Sequence, residues 1–257
     1  MLKEIREKRE KKISIIIAAA GGSTRFGSNK SKPKQFMHLN GKSLLLYSLE
    51  KFSLVKNITE IIIITSDVSA TNELLGKKDF FNGPNLKVIL GGELRQDSVY
   101  NGFCNLTPGA DLVIIHDVAR PLFDIKDVEK CIEKAYSNKA LVLAVPVVDT
   151  IKRARSHQDE LLVEDTLNRE NLYVIQTPQV FDYNLLDKAY KMYKGSNSKS
   201  LNQDYSLFTD EARMVELLGE PVNLVIGTRK NIKITYEEDL EIASAILNEK
   251  SEIQCLK

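Results

Sequence analysis

Five largely apolar runs, none with strict apolar–polar alternation, set the terms on which this chain can fold. They span Ile13–Ile17, Ile58–Thr65, Leu86–Leu90, Leu112–His116 and Ala140–Val148. Between them lie stretches with helical character, Gly41–Phe52, Ser69–Lys78, Glu93–Leu106 and Lys126–Ser137. A strand wetted on one face alternates apolar and polar residues; these runs do not, so both faces must be covered. The expectation is an α/β protein with a largely parallel sheet flanked by helices. Such sheets collect ligands beyond the carboxyl ends of their strands, and the chain's small and polar stretches fall at those ends.

The pattern changes at Thr150. Ile151–Leu167 is polar and charged, with a turn expected near Ser156–Glu160, and reads as a hairpin leaving the main body. Its apolar residues Ile151, Leu161, Leu162 and Val163 need cover that a partner subunit would give. Tyr173–Phe181 returns to the core, Asp182–Tyr193 is helical, and Gly195–Ser200 is a loop by composition. Thr209 is expected to cap a further helix. Val222–Ile226 is the last core strand and Glu237–Glu249 the closing helix. With no internal repeat and no long linker, residues 13–257 read as one domain, and 1–12 as a charged extension.

Charge and cysteine usage narrow the setting. A formal net charge of +1 over 257 residues is no nucleic-acid footprint. Cys104, Cys131 and Cys255 are far apart, without metal-ligand spacing or a disulfide framework, which fits a reducing cytoplasm. No apolar run approaches the roughly 18–20 residues of a membrane span. The first twelve residues lack an apolar core and carry three Glu, which suits a solvated helical extension better than a targeting segment.

The first strand runs into Ala18-Ala-Ala-Gly-Gly-Ser23, where the lack of side-chain bulk lets backbone N–H groups approach a polyanion. Arg25 and Lys34 follow with full positive charge. The dinucleotide fingerprint fails here because Ser23 stands where its second Gly should be, and the phosphate loop fails at Ser28 and Asn29. Three more polar clusters follow strand ends: Gly91-Gly92-Glu93-Leu-Arg95-Gln-Asp-Ser98, Asp117-Val-Ala-Arg120 and Asn231-Ile-Lys233. The glycine pair with Ser98 suits the edge of a base pocket, or simply a helix entry with Glu93 and Asp97 near its N-terminus. Asp117 is a candidate metal ligand or sugar-hydroxyl acceptor, or a turn-capping Asp before Pro121. His116, on an apolar strand, reads as a core histidine, and His38 and His157 have no partner in sequence. No nucleophile-plus-base arrangement occurs. The charges suit phosphate transfer without a covalent intermediate, driven by positioning and electrostatics.

Taken together, these stretches resemble the 2-C-methyl-D-erythritol 4-phosphate cytidylyltransferases of isoprenoid-precursor synthesis. The likeness is carried by Ala18–Arg25, Pro33-Lys-Gln35, Gly91–Val99, His116–Pro121, Asp149-Thr-Ile-Lys152, Gln176-Thr-Pro-Gln179, Thr209–Ala212 and Asn231-Ile-Lys233, in family order. The resemblance implies a Rossmann-like nucleotidyltransferase domain of the nucleotide-diphospho-sugar transferase type, with a β-arm at about 150–172 that builds a homodimer. It implies CTP and Mg²⁺, and attack of the substrate phosphate on the α-phosphorus with loss of pyrophosphate. By position, Arg25 and Lys34 would steady the transition state, and Arg169 and Lys233 would hold the methylerythritol phosphate, Arg169 coming from the partner's arm. Asp117, Arg120, Thr150 and Thr209 would line the substrate side, with Asp117 the metal ligand. Ala19, Ala20, Gly21, Gly92, Glu93 and Ser98 would hold CTP. Ser23, Val118 and Glu93 stand where Gly, Ala and Asp are usual, and no Pro follows Thr235. The alternatives are ribitol 5-phosphate cytidylyltransferase, whose loops are much the same, and a nucleotide-binding protein without turnover.

Overall fold

Every apolar run becomes a strand of one sheet. In chain order the elements are β1 (Ile13–Ala19), β2 (His38–Leu39), β3 (Lys42–Ser43), α1 (Leu44–Phe52), β4 (Ile58–Thr65), α2 (Val68–Gly76), β5 (Asn85–Leu90), α3 (Arg95–Cys104), β6 (Leu112–Asp117) and α4 (Ile125–Lys134). They continue with β7 (Ala140–Pro146), β8 (Lys152–His157), β9 (Glu160–Thr166), β10 (Tyr173–Asp182), α5 (Tyr183–Gly195), α6 (Glu211–Leu217), β11 (Asn223–Ile226) and α7 (Glu238–Cys255). The computed structural model describes residues 10–21, 33–76, 83–195 and 208–255. Arg25 and Ser23 of the first turn, and residues 1–9 of the extension, lie outside the described residues.

The seven-stranded sheet has the order β11-β7-β10-β6-β1-β4-β5. β10 alone runs antiparallel to its neighbours β6 and β7; the other pairings are parallel. Both faces are covered, as the absence of alternation requires. Ile13, Ile15 and Ile17 of β1 and Ile61 and Ile63 of β4 pack under α1, α4 and α7. Ile16, Ile62 and Ile64 face the other way, into the layer made by α3, α5 and α6. Among the described residues, no helix is long and apolar enough to cross a membrane.

One contact sets how closely α3 lies on the sheet. A Cβ at Gly102 would stand 2.8 Å from Ile16 Cγ2 and 2.8 Å from Ile64 Cδ1. Gly102→Ala therefore sets overpacking of about 1–3 kcal/mol against a helix-propensity gain of about 1 kcal/mol. The expected net loss is about 0–2 kcal/mol, read from the urea midpoint; a raised midpoint would mean that α3 lifts freely.

The hairpin of β8 and β9 forms its own two-stranded sheet, apart from the main one. Its loop is Gln158-Asp159, both at positive φ (47° and 65°), the geometry of a tight two-residue hairpin turn. Leu161 and Val163 are 77% and 63% exposed. Two helix starts differ from expectation. α3 begins at Arg95 rather than Glu93, because Gly91–Leu94 makes the turn. Asp210, not Thr209, caps α6: its carboxylate accepts the Arg213 N–H (3.1 Å) and the Gln179 Nε2 amide (2.8 Å).

Candidate active site

The strand order reverses at β1, with β4 and β5 on one side and β6 on the other. Between the ends of β1 and β6 a cleft of about 690 Å³ opens, at the switch point where doubly wound sheets bind ligands. Ala18 pairs with Asp117 in register, and the Val118 N–H donates to the Ala18 carbonyl (3.1 Å). Asp117 is thereby carried to the cleft by the last residue of a buried strand.

The small residues of the first turn do what their size allows. Ala20 and Gly21 line the cleft. A Cβ at Gly91 would stand 2.4 Å from the Ala20 Cβ, so only glycine lets the Gly91-Gly92 turn close against the end of β1. Ser98 locks that turn by accepting the Gly92 N–H (3.0 Å). Its hydroxyl thus serves the turn in this structure, while Gly92, Glu93 and Ser98 all line the cleft. Ala19 is different: pleating sends its methyl into the core, where it is 1% exposed, and Ala18 and Ala20 take the cleft side.

Lys34 enters from a single 3₁₀ turn, Lys34–Phe36. The anchor beside it is Gln35, fully buried, whose amide donates to Thr65 Oγ1 (3.1 Å) and Ser66 Oγ (3.3 Å). Lys34 Nζ donates to the carbonyl of Ile234 (2.9 Å). Lys233 lies on the facing strap, its ammonium 2.8 Å from Asp117 Oδ2. The strap is pinned by Ile234 N–H to Ala119 O (2.8 Å) and by buried Asn231, whose amide donates to Thr177 O (2.9 Å).

Arg120 is part of that pinning. Its guanidinium donates to Asn231 O (2.9 Å) and Ile175 O (3.2 Å), so it braces the strap instead of lining the cleft. Burial pulls its pKa down, with Asp117 opposing. Thr150 and Thr209 are exposed and outside the cleft lining. Arg169 is exposed beyond the hairpin, and its guanidinium donates to Val148 O of its own chain. Within one chain the structure therefore brings together Lys34, Asp117, Lys233, Ala20, Gly21, Gly92, Glu93 and Ser98, and leaves Ala19, Arg120, Thr150, Thr209 and Arg169 outside the lining.

Two charged residues of the site carried no expected role. Arg95, on the first turn of α3, donates through Nε and Nη2 to Asp117 Oδ1 (3.1 and 3.0 Å). Through Nη1 it reaches both oxygens of Glu211 (3.2 and 3.1 Å). Burial alone would raise the Asp117 carboxyl, but Arg95 and Lys233 outweigh it and hold it well below the usual carboxylate range. Glu211 goes the other way: burial outweighs the Arg95 guanidinium and lifts its pKa above the ordinary value. Both residues stood in recognised motifs, yet a pairing across 116 residues leaves no local signal.

His116 is a core histidine. It is fully buried, edge-on to Phe52 and Phe123 with ring centroids 5.3 and 4.6 Å away. Its Nδ1 meets Thr177 Oγ1 (3.2 Å), the oxygen that also accepts the Asp117 N–H (3.0 Å). Burial pushes its pKa down to about 3, so it is neutral and no general acid at neutral pH. His38 and His157 are exposed.

Among the described residues, no three His, Cys, Asp or Glu side chains cluster to hold a metal ion. Asp117 nonetheless fits Mg²⁺, which commonly takes one or two carboxylates and completes its shell with phosphate oxygens and water. Its Oδ1 accepts twice from Arg95, whereas Oδ2 accepts once, from a Lys233 side chain that is 44% exposed.

Comparison with known proteins agrees with this geometry. The family model described as 2-C-methyl-D-erythritol 4-phosphate cytidylyltransferase matches residues 13–249. A relative of that name from Caldanaerobacter subterraneus is 41% identical over 237 residues, covering 91% of this chain and 98% of its own. Another from Clostridioides difficile is 39% identical over 239 residues, covering 91% and 93%. The crystal structure of 4-diphosphocytidyl-2C-methyl-D-erythritol synthase from Anaerococcus prevotii matches with a TM-score of 0.75 at 33% identity, over 93% of this chain and 96% of that one. The crystal structure of the Francisella tularensis cytidylyltransferase gives 0.72 at 30% identity, over 90% and 98%. With the match running through nearly every described element, the chain belongs to the 2-C-methyl-D-erythritol 4-phosphate cytidylyltransferase family of nucleotidyltransferases.

Proposed function

We propose that this chain transfers CMP from CTP to 2-C-methyl-D-erythritol 4-phosphate. A phosphate oxygen of the acceptor attacks the α-phosphorus in line, the α-phosphorus–oxygen bond to the β-phosphate breaks, and pyrophosphate leaves with that oxygen's electrons. The observation that carries this reading is the pair of lysines, Lys34 and Lys233, lining the same switch-point cleft as the Gly91-Gly92 turn and Asp117. Both substrates are polyanions and repel each other. Cations fixed in the one cleft remove that repulsion and convert an encounter into a positioned reaction.

The roles follow from position. Ala20, Gly21, Gly92, Glu93 and Ser98 hold CTP, with the Ala19 backbone beside them. Lys34 steadies the charge that builds on the pentacoordinate phosphorus, together with Arg25. Lys233 binds the acceptor phosphate, and Arg169 joins it from the partner's hairpin. Thr150 and Thr209 complete the acceptor side, and Arg120 acts by bracing the Lys233 strap. Asp117 would hold Mg²⁺, which when bound supplies further positive charge to the phosphates. The exposed Leu161 and Val163 favour a homodimer built through the arm at about 150–172. The reading makes residues 13–257 one catalytic domain working in the cytoplasm.

The test is pyrophosphate release with CTP and Mg²⁺, with methylerythritol phosphate and ribitol 5-phosphate offered separately. Release is expected with the first acceptor and much less with the second. CTP binding without release from either would leave a nucleotide-binding protein, and faster use of ribitol phosphate would reassign the acceptor.

A further inference from the structure

We infer that Glu211 and Arg95 form a positioning ladder for Asp117, in which a carboxylate in the core holds a guanidinium and the guanidinium fixes one oxygen of Asp117, leaving the other for the cleft. The inference rests on the transfer reaction proposed above. Three elements meet here: Glu211 opens α6, Arg95 opens α3, and Asp117 ends β6. Glu211 is fully buried and lies outside the cleft lining, and among the described residues its carboxylate accepts hydrogen bonds from Arg95.

An arginine lining a cleft that takes a triphosphate invites a simpler reading, as a phosphate ligand. The geometry argues against it. Arg95 makes four hydrogen bonds to carboxylates from a group with five N–H donors. Swinging out to a phosphate would strand Glu211 without a partner in the core, which is strongly unfavourable. A purely stabilising role is also a poor account, because apolar side chains of similar volume commonly serve stability as well as a buried ion pair does. What the charges add is fixed geometry. α6 is itself locked at this end, since its cap Asp210 is held by Gln179 of β10.

Glu211 also sets the charge that Asp117 presents. Arg95 is shared between two carboxylates, so it does not fully neutralise the second. Removing the Glu211 charge hands Arg95 entirely to Asp117 and leaves the cleft one unit more positive. Glu211→Gln should therefore slow turnover about tenfold, at the low end of the 10–100-fold range for residues that orient a ligand from behind. Its KM for CTP should fall rather than rise, since the extra positive charge favours the triphosphate.

The experiment measures kcat, both KM values and thermal unfolding for wild type, Glu211→Gln, Asp117→Asn and the double variant of these two. Arg95→Met/Glu211→Gln is added because it removes both buried charges together and should keep the fold. The ladder predicts a Glu211→Gln loss confined to kcat that largely vanishes in the Asp117→Asn background. It also predicts an Arg95→Met/Glu211→Gln enzyme that is folded and at least as slow. A folded variant of either kind with wild-type kcat overturns it. So does a Glu211→Gln loss that multiplies fully with that of Asp117→Asn. If wild type itself releases no pyrophosphate, the transfer reading fails instead. CTP affinity by calorimetry then decides the ladder: tighter binding by Glu211→Gln supports it, and equal or weaker binding overturns it.

Discussion

Lys34→Ala is expected to lower the rate of pyrophosphate release by on the order of 10²-fold or more while lowering the melting temperature by only a few degrees. The two halves rest on different atoms. In the transfer reaction proposed above, turnover would lose the ammonium assigned to the charge gathering on the α-phosphorus, a loss comparable to removing an oxyanion donor. Stability loses one half-exposed side chain whose bond to Ile234 O spans 2.9 Å, worth about 0.5–1.5 kcal/mol. The turn itself stays, because Gln35 and not Lys34 anchors it to Thr65 and Ser66. Gln35→Ala is the useful contrast, since it should cost stability as well as rate by loosening the backbone that carries Lys34. Initial rates and calorimetric melting on both variants decide the matter. A Lys34→Ala enzyme with wild-type kcat would remove this residue from the chemistry.

How much of this could be read beforehand varies by element for physical reasons. The strand Ile58–Thr65 was legible to the residue, because four consecutive isoleucines suit only a position buried on both faces. The direction of β10 was not, since parallel and antiparallel strands in a covered sheet have the same apolar content. The α6 cap was ambiguous between Thr209 and Asp210, both good caps. The choice was made by Gln179, more than thirty residues upstream, which donates to Asp210 and not to Thr209. Within the site, residues that meet through the ends of neighbouring strands were readable as clusters, as with Ala20, Gly92 and Asp117. The bonds of Arg120 were not: nothing in the sequence shows that an arginine after a strand-end Asp donates to Asn231 O of the 228–235 strap and to Ile175 O of β10. Glu211 was invisible as a charge partner for a like reason. A glutamate in the first turn of a helix satisfies the macrodipole wherever it points, and only the fold turns this one inward onto Arg95.

That inward glutamate makes Arg95→Ala the most destabilising single change expected at the site. Removing the guanidinium leaves the fully buried Glu211 carboxylate without its partner, a change of about 3–5 kcal/mol against a typical total of about 5–15 kcal/mol. Asp117→Ala should cost less, because Arg95 keeps Glu211 and Lys233 is exposed enough to be solvated. Asp117→Ala is therefore expected to be the milder change in urea, although Asp117 and Arg95 both line the cleft. The sign with pH is also set. Burial already lifts the Glu211 pKa above its ordinary value against the pull of Arg95, and without that pull it rises further. A carboxyl whose pKa is raised in the folded state binds its proton more tightly there than in the unfolded chain. Stability is then recovered as pH falls through the folded pKa and lost as pH rises. The deficit of Arg95→Ala relative to wild type should accordingly be largest near about pH 7.5 and shrink toward about pH 5, measured as urea midpoints across that range. A deficit that is absent, or that grows on acidification, would mean that water or another cation reaches Glu211 once the guanidinium is gone, and the carboxylate would then have no need of Arg95.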